Sequence, residues 1–117
     1  VGFSPAQIIP FAKINVDYFS LILGKTRDWG FSNLGSIAKS KNILKLINSK
    51  TELLLASIRN EDDLINSIIN GADVITVPPT TWKSIFSNKF SKLAINSMLK
   101  DWSNLSKNNR KKYEIKK

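Results

Sequence analysis

The sequence predicts an α/β fold built on a parallel sheet, and three observations carry that prediction. Short apolar runs alternate with amphipathic stretches through a chain of 117 residues, the pattern of successive βα units. Helix-starting residues stand between the runs, as where Asn60 precedes Glu61, Asp62 and Asp63. One unit also echoes another: INVDYFSLI at 14–22 and INGADVITV at 69–77 both run from a helix end through an aspartate into an apolar stretch. Such tandem units belong to an open doubly wound sheet or to a (β/α)8 barrel, and the lack of a G-x-G-x-x-G or P-loop pattern counts against the nucleotide-binding kind.

Taken in order, Val1, Gly2 and Phe3 read as the end of a strand. Ser4 and Pro5 follow as N-cap and first helical position of a helix to Ile14, in which Pro10 is tolerated only near the first turns. A second strand covers Tyr18 to Leu23, then GKTRDWG at 24–30 reads as a loop. The helix after it runs from Asn33 to Ile47, with Leu34, Ile37, Ala38, Leu44 and Ile47 as its buried stripe and Lys41 as a flaw in it. The third strand is Glu52 to Ser57. Its helix is capped by Asn60, buries Leu64, Ile65, Ile68 and Ile69, and ends at Gly71. The fourth strand, Asp73 to Val77, is stopped by Pro78 and Pro79. Two helices close the chain, 80–87 and 90–105, the latter with Ala94, Met98, Trp102 and Leu105 at helical spacing. Four strands cannot close a barrel, which takes eight and roughly 250 residues, so the chain reads as part of a larger protein.

Composition removes several chemistries. With no cysteine and no histidine there is no disulfide, no thiolate or imidazole metal site, and no imidazole to activate a nucleophile. The net charge of +9 is concentrated at one end: residues 107–117 hold six bases and one acid. That segment reads as a basic, disordered tail outside a domain spanning 1–106, and aromatic residues do not interleave with the bases as a nucleic-acid surface requires. The apolar runs are too short to cross a bilayer and the N-terminus lacks a secretion-signal pattern, so a cytoplasmic protein is expected, with neither nucleic acid nor membrane as partner.

In parallel βα folds the working residues follow the apolar runs. After the second strand these are Gly24, Lys25, Thr26, Arg27 and Asp28, and after the third they are Ser57 and Arg59. If extension persists through LLLASIRN, Ser57 and Arg59 point the same way and share that side with Leu53 and Leu55, while Leu54 and Ala56 face the helices. A hydroxyl donor, a guanidinium fork, the Lys25 ammonium and the amides of the next helix suit a dianionic phosphate. The alternative is local pairing, of Arg59 with Glu61, Asp62 or Asp63 and of Lys25 with Asp28.

FSPAQ, GKTRDWG, LLLASIRN, INGADVITVPP and LKDW, in this order and spacing, resemble the C-terminal half of the transaldolase family, which includes the fructose-6-phosphate aldolases. The resemblance covers nearly the whole chain except the tail. It implies an α/β fold that is the C-terminal half of a (β/α)8 TIM barrel, strands five to eight with their helices. It also implies Schiff-base transfer of a dihydroxyacetone unit between sugar phosphates, in the pentose phosphate pathway, with no metal or organic cofactor and a homo-oligomer when complete. Free fructose-6-phosphate aldolase activity, or a noncatalytic half-barrel binding phosphorylated ligands, are the alternatives.

By position, the resemblance assigns substrate phosphate binding to Lys25, Ser57 and Arg59, with Lys25 where the family has an arginine. Ile22 would form the pocket wall where the family has phenylalanine or tyrosine, and Leu21 replaces a customary proline. The family's Schiff-base lysine, relay carboxylate and threonine belong to earlier strands, so no catalytic residue is assigned in this chain, which alone is expected to be inactive.

Overall fold

A computed structural model describes residues 1–31, 33 and 35–115. Leu34 of the predicted helical stripe lies outside them. The chain divides into two units, 1–83 and 84–117.

The first unit is a parallel α/β layer. Strands β1 (Tyr18–Ile22), β2 (Glu52–Ala56) and β3 (Val74–Ile75) form a sheet in the order β1-β2-β3, all parallel. In place of the first expected strand, Gly2 adds a single parallel bridge to Leu21. Helices α1 (Ile8–Lys13, after a 3-10 turn at Pro5–Gln7), α2 (Gly24–Asp28), α3 (Ser36–Ile47), α4 (Glu61–Ile69) and α5 (Pro79–Phe86) alternate with the strands. Pro10 is the third residue of α1, where its missing N–H falls in the first turn and costs no helical bond.

The strands register Phe19 with Leu53 and Leu21 with Leu55, and all four side chains are buried. They share one core with Ile8 and Ala12 of α1 and Ile37 and Leu44 of α3. Leu53 and Leu55 therefore face the helices, and Leu54 and Ala56, only half-buried, face away, the reverse of the expected sides. The cause is that both faces of a parallel strand are apolar, so alternation fixes the two sets but not which one meets the helices. Each fully buried leucine contributes roughly 2 kcal/mol of transfer free energy.

Two stripes also differ from expectation. On α3 the buried set is Ser36, Ile37, Ser40 and Leu44, with Ala38 exposed. Lys41 is not a flaw: its ammonium bridges both carboxylate oxygens of Asp73 at 2.6 and 2.7 Å, and that carboxylate accepts the Leu53 amide at 2.7 Å. On α4 the buried residues are Asp63 and Ser67, whereas Ile65, Ile68 and Ile69 are exposed.

The second unit takes in the end of α5, α6 (Lys89–Asn104) and α7 (Lys107–Lys111). Asn88 caps α6 and Ser106 caps α7, and no residue of α6 is buried. The Arg110 guanidinium donates to the carbonyls of Ser103 and Leu105. Among the described residues no helix is long and apolar enough to cross a membrane.

Candidate functional site

The site lies where β1 and β2 end side by side. Strand pairing continues past both ends, with the Leu23 amide on the Ala56 carbonyl at 3.1 Å and the Gly24 amide on the Ser57 carbonyl at 3.0 Å. This brings the start of α2 against the Ser57 backbone.

Ser57 itself is left-handed, with φ 64°. That kink interrupts the alternation of β2: the buried row Leu53, Leu55 continues with Ile58 instead of Ser57. Ile58 turns into the core, and Ser57 and Arg59 come together outside it, with the Arg59 Nε–H donating to Ser57 Oγ at 3.3 Å. A left-handed serine is disfavoured backbone, held here by the Gly24 hydrogen bond on one side and the buried Ile58 on the other.

Gly24 is required by close approach. A Cβ there would stand 2.4 Å from the Ser57 carbonyl oxygen and about as close to Arg59, at 2.5 Å from Nε and 2.6 Å from Cγ. The Arg59 side chain thus lies directly across Gly24. Gly24→Ala is expected to push Arg59 off Ser57 and to cost about 1–3 kcal/mol, because one of the clashing atoms is backbone and cannot swing aside. Urea denaturation measures the cost and a crystal structure of the variant the displacement of Arg59, and an unperturbed variant would contradict the packing.

The charges pair across elements rather than locally. Arg59 Nη2 donates to Asp28 Oδ2 at 2.6 Å, an exposed pair, and the bond from Arg59 to Asp63 comes from its backbone amide. Lys25, exposed on α2, forms no ion pair with Asp28 or with any other described residue. Of the three residues proposed to hold phosphate, Ser57 and Arg59 are in contact; Lys25 follows Gly24 directly but bonds to neither. Ile22 is half-buried at the end of β1, its carbonyl taking the Thr26 hydroxyl at 2.9 Å.

Behind this rim, Arg27 and Asp63 form a bidentate pair at 2.5 and 2.7 Å, tying α2 to α4. Asp63 also accepts the Arg59 amide at 2.9 Å, and its own amide is capped by Asn60 at 2.9 Å. Burial pushes the Asp63 carboxyl up, but the Arg27 hydrogen bonds, the Arg59 amide and the Arg27 charge together outweigh it and hold it below the ordinary carboxylate value. The bond to Asp63 raises the Arg27 guanidinium, against a smaller lowering by burial. Arg27 is thus committed to the scaffold. The first turn of α4 carries Glu61, Asp62 and Asp63, so its positive end is answered from within the chain rather than left for a ligand.

Sequence reading missed the roles of Gly24, Asp28 and the Arg27–Asp63 pair. Trp29 sets its ring 5.4 Å from that of Phe3 while remaining largely exposed. Among the described residues no cluster of three or more metal-ligating side chains occurs.

Residues 2–116 match the family model described as Transaldolase/Fructose-6-phosphate aldolase. The chain is 35% identical over 100 residues to a probable transaldolase of Caulobacter sp. (strain K31), covering 86% of this chain and 46% of that protein. It is 32% identical over 108 residues to a probable transaldolase of Nitrosopumilus maritimus (strain SCM1), covering 92% and 49%. A probable transaldolase of Sulfurihydrogenibium sp. (strain YO3AOP1) is 31% identical over 100 residues. The chain spans about half the length of these curated relatives.

Proposed function

This chain belongs to the transaldolase/fructose-6-phosphate aldolase family, and from that premise we propose that it forms the phosphate-holding half of a (β/α)8 barrel. The complete barrel would transfer a dihydroxyacetone unit between sugar phosphates through a Schiff base, as part of carbohydrate metabolism. The observation that carries the reading is the meeting of Ser57 and Arg59 at the carboxyl end of β2, across the bare Cα of Gly24.

Ser57 Oγ accepts the Arg59 Nε–H, which leaves the hydroxyl hydrogen free to donate to a phosphate oxygen. The Nε and Nη2 edge of Arg59 is turned to Ser57 and Asp28, so an incoming oxyanion meets Nη1 directly and takes Nη2 by displacing Asp28. Lys25 adds a point charge on a flexible stem; relative to the arginine usual in the family it gives attraction without a fork. Ile22 supplies an apolar wall. Binding energy from the remote phosphate then positions the sugar carbonyl for an amine contributed elsewhere in the barrel, and this chain alone binds without turning over the sugar.

Calorimetric titration of the protein with fructose 6-phosphate and with fructose tests the reading. Heat of binding is expected from the phosphorylated sugar only. Equal binding of both sugars, or of neither, would contradict it.

A further inference from the structure

We propose that Asp28 is the resident counter-anion of Arg59, and that its carboxylate sets how much charge a ligand must carry to enter the site. The inference rests on the phosphate reading above and names the residue that governs selectivity within it.

Three observations carry it. First, the cations at and behind the rim differ in their partners: Lys25 is exposed with no ion pair among the described residues, Arg59 is paired to Asp28, and Arg27 is occupied by Asp63. Second, the two ion pairs differ in exchangeability. The Asp63 side chain is 6% exposed and takes three hydrogen bonds, from both Arg27 nitrogens and from the Arg59 amide, so no ligand dislodges it. The Asp28 side chain is 57% exposed and its Arg59 partner 48%, a solvated pair joined by one hydrogen bond. Pairs of that kind are worth at most about 1 kcal/mol, so a stronger anion displaces the carboxylate into water at little cost. Third, Asp28 bonds to Nη2, one of the two nitrogens that an end-on oxyanion needs, so ligand and carboxylate contend for the same atom.

The consequence is discrimination by charge. A monoanion offers Arg59 no more than Asp28 already does. A phosphomonoester, a dianion above about pH 7, attracts Arg59 and Lys25 together with twice the charge and wins the exchange. Asp28 thus excludes carboxylates and phosphodiesters while admitting phosphomonoesters.

Asp28→Asn isolates the effect, since the amide oxygen still accepts from Arg59 and only the charge is lost. Titrating the intact protein with glycerol 3-phosphate and with dimethyl phosphate at moderate salt reads it out. Removing one charge about 6 Å from a dianion is expected to tighten glycerol 3-phosphate binding about threefold to tenfold, the lower figure at higher ionic strength. Dimethyl phosphate binding, absent in the parent, is expected to appear in the variant, and Asp28→Ser serves as a second charge-removing substitution.

Arg59→Ala, run in parallel, separates the two levels of inference. If it abolishes glycerol 3-phosphate binding while Asp28→Asn leaves affinity unchanged or weaker, Asp28 is not a competing anion and the proposal fails with the phosphate reading intact. If Arg59→Ala changes nothing, the phosphate reading fails and takes the proposal with it.

Discussion

Arg59→Ala is expected to weaken binding of fructose 6-phosphate by about 100-fold, close to 3 kcal/mol, while the fold survives. The magnitude follows from the loss of two charge-assisted hydrogen bonds to a dianion, partly offset by Lys25, which remains. The fold survives because the Arg59 side chain contributes only an exposed ion pair to Asp28 and a 3.3 Å contact to Ser57. Its structural hydrogen bond, from the backbone amide to Asp63, is kept by alanine. Calorimetry with fructose 6-phosphate and a urea melt of the same sample separate the two effects. A variant that binds the sugar phosphate normally would remove Arg59 from the site.

Asp63→Asn is expected to destabilise the protein by about 2 kcal/mol in urea denaturation. Its buried carboxylate satisfies both Arg27 nitrogens and the Arg59 amide, and it is what ties α2 to α4 behind the rim. An amide in its place presents a donor to Arg27 and leaves one of these bonds unmade. The pH dependence follows from the direction of the shift. The folded carboxyl lies below its unfolded value of about 3.9, so its stabilisation is complete above that value and is lost as the pH falls through the folded one. Arg27 is shifted the opposite way, upward, so its contribution is complete throughout the acid and neutral range and is lost only as the pH rises through its folded value, above the ordinary arginine range. Stability of the parent is therefore expected to drop below about pH 4, and that part of the drop to be missing in Asp63→Asn. Parallel acid denaturation curves for the two proteins would contradict the assignment.

What could be read from the sequence was what local chemistry specifies. The strand spans at Tyr18–Ile22 and Glu52–Ala56 follow from apolar runs, and the start of α4 from Asn60, whose side chain does take the Asp63 amide. GKTRDWG was expected as a loop but carries helix α2 at Gly24–Asp28, because five residues show no hydrophobic period. The side of β2 facing the helices was inverted because that strand is apolar on both faces. Isoleucines 65, 68 and 69 keep the helical spacing that predicts burial, yet the face of α4 that is buried here runs through Asp63 and Ser67.

At the candidate site, Ser57 and Arg59 were legible as a pair two residues apart, though for an incomplete reason: it is the left-handed Ser57, not continued extension, that brings them together. The pairs Arg27–Asp63 and Arg59–Asp28 were not legible. They join residues 36 and 31 positions apart, and nothing but the parallel register of β1 with β2 makes α2 a neighbour of the loop entering α4.

A crystal structure of the protein with glycerol 3-phosphate bound tests the proposed phosphate site most directly. The expected result is the phosphate group within hydrogen-bond distance of the Arg59 guanidinium, Ser57 Oγ and Lys25 Nζ, with Asp28 released from Arg59. A phosphate bound elsewhere, with the Arg59–Asp28 pair intact and Lys25 turned away, would contradict it.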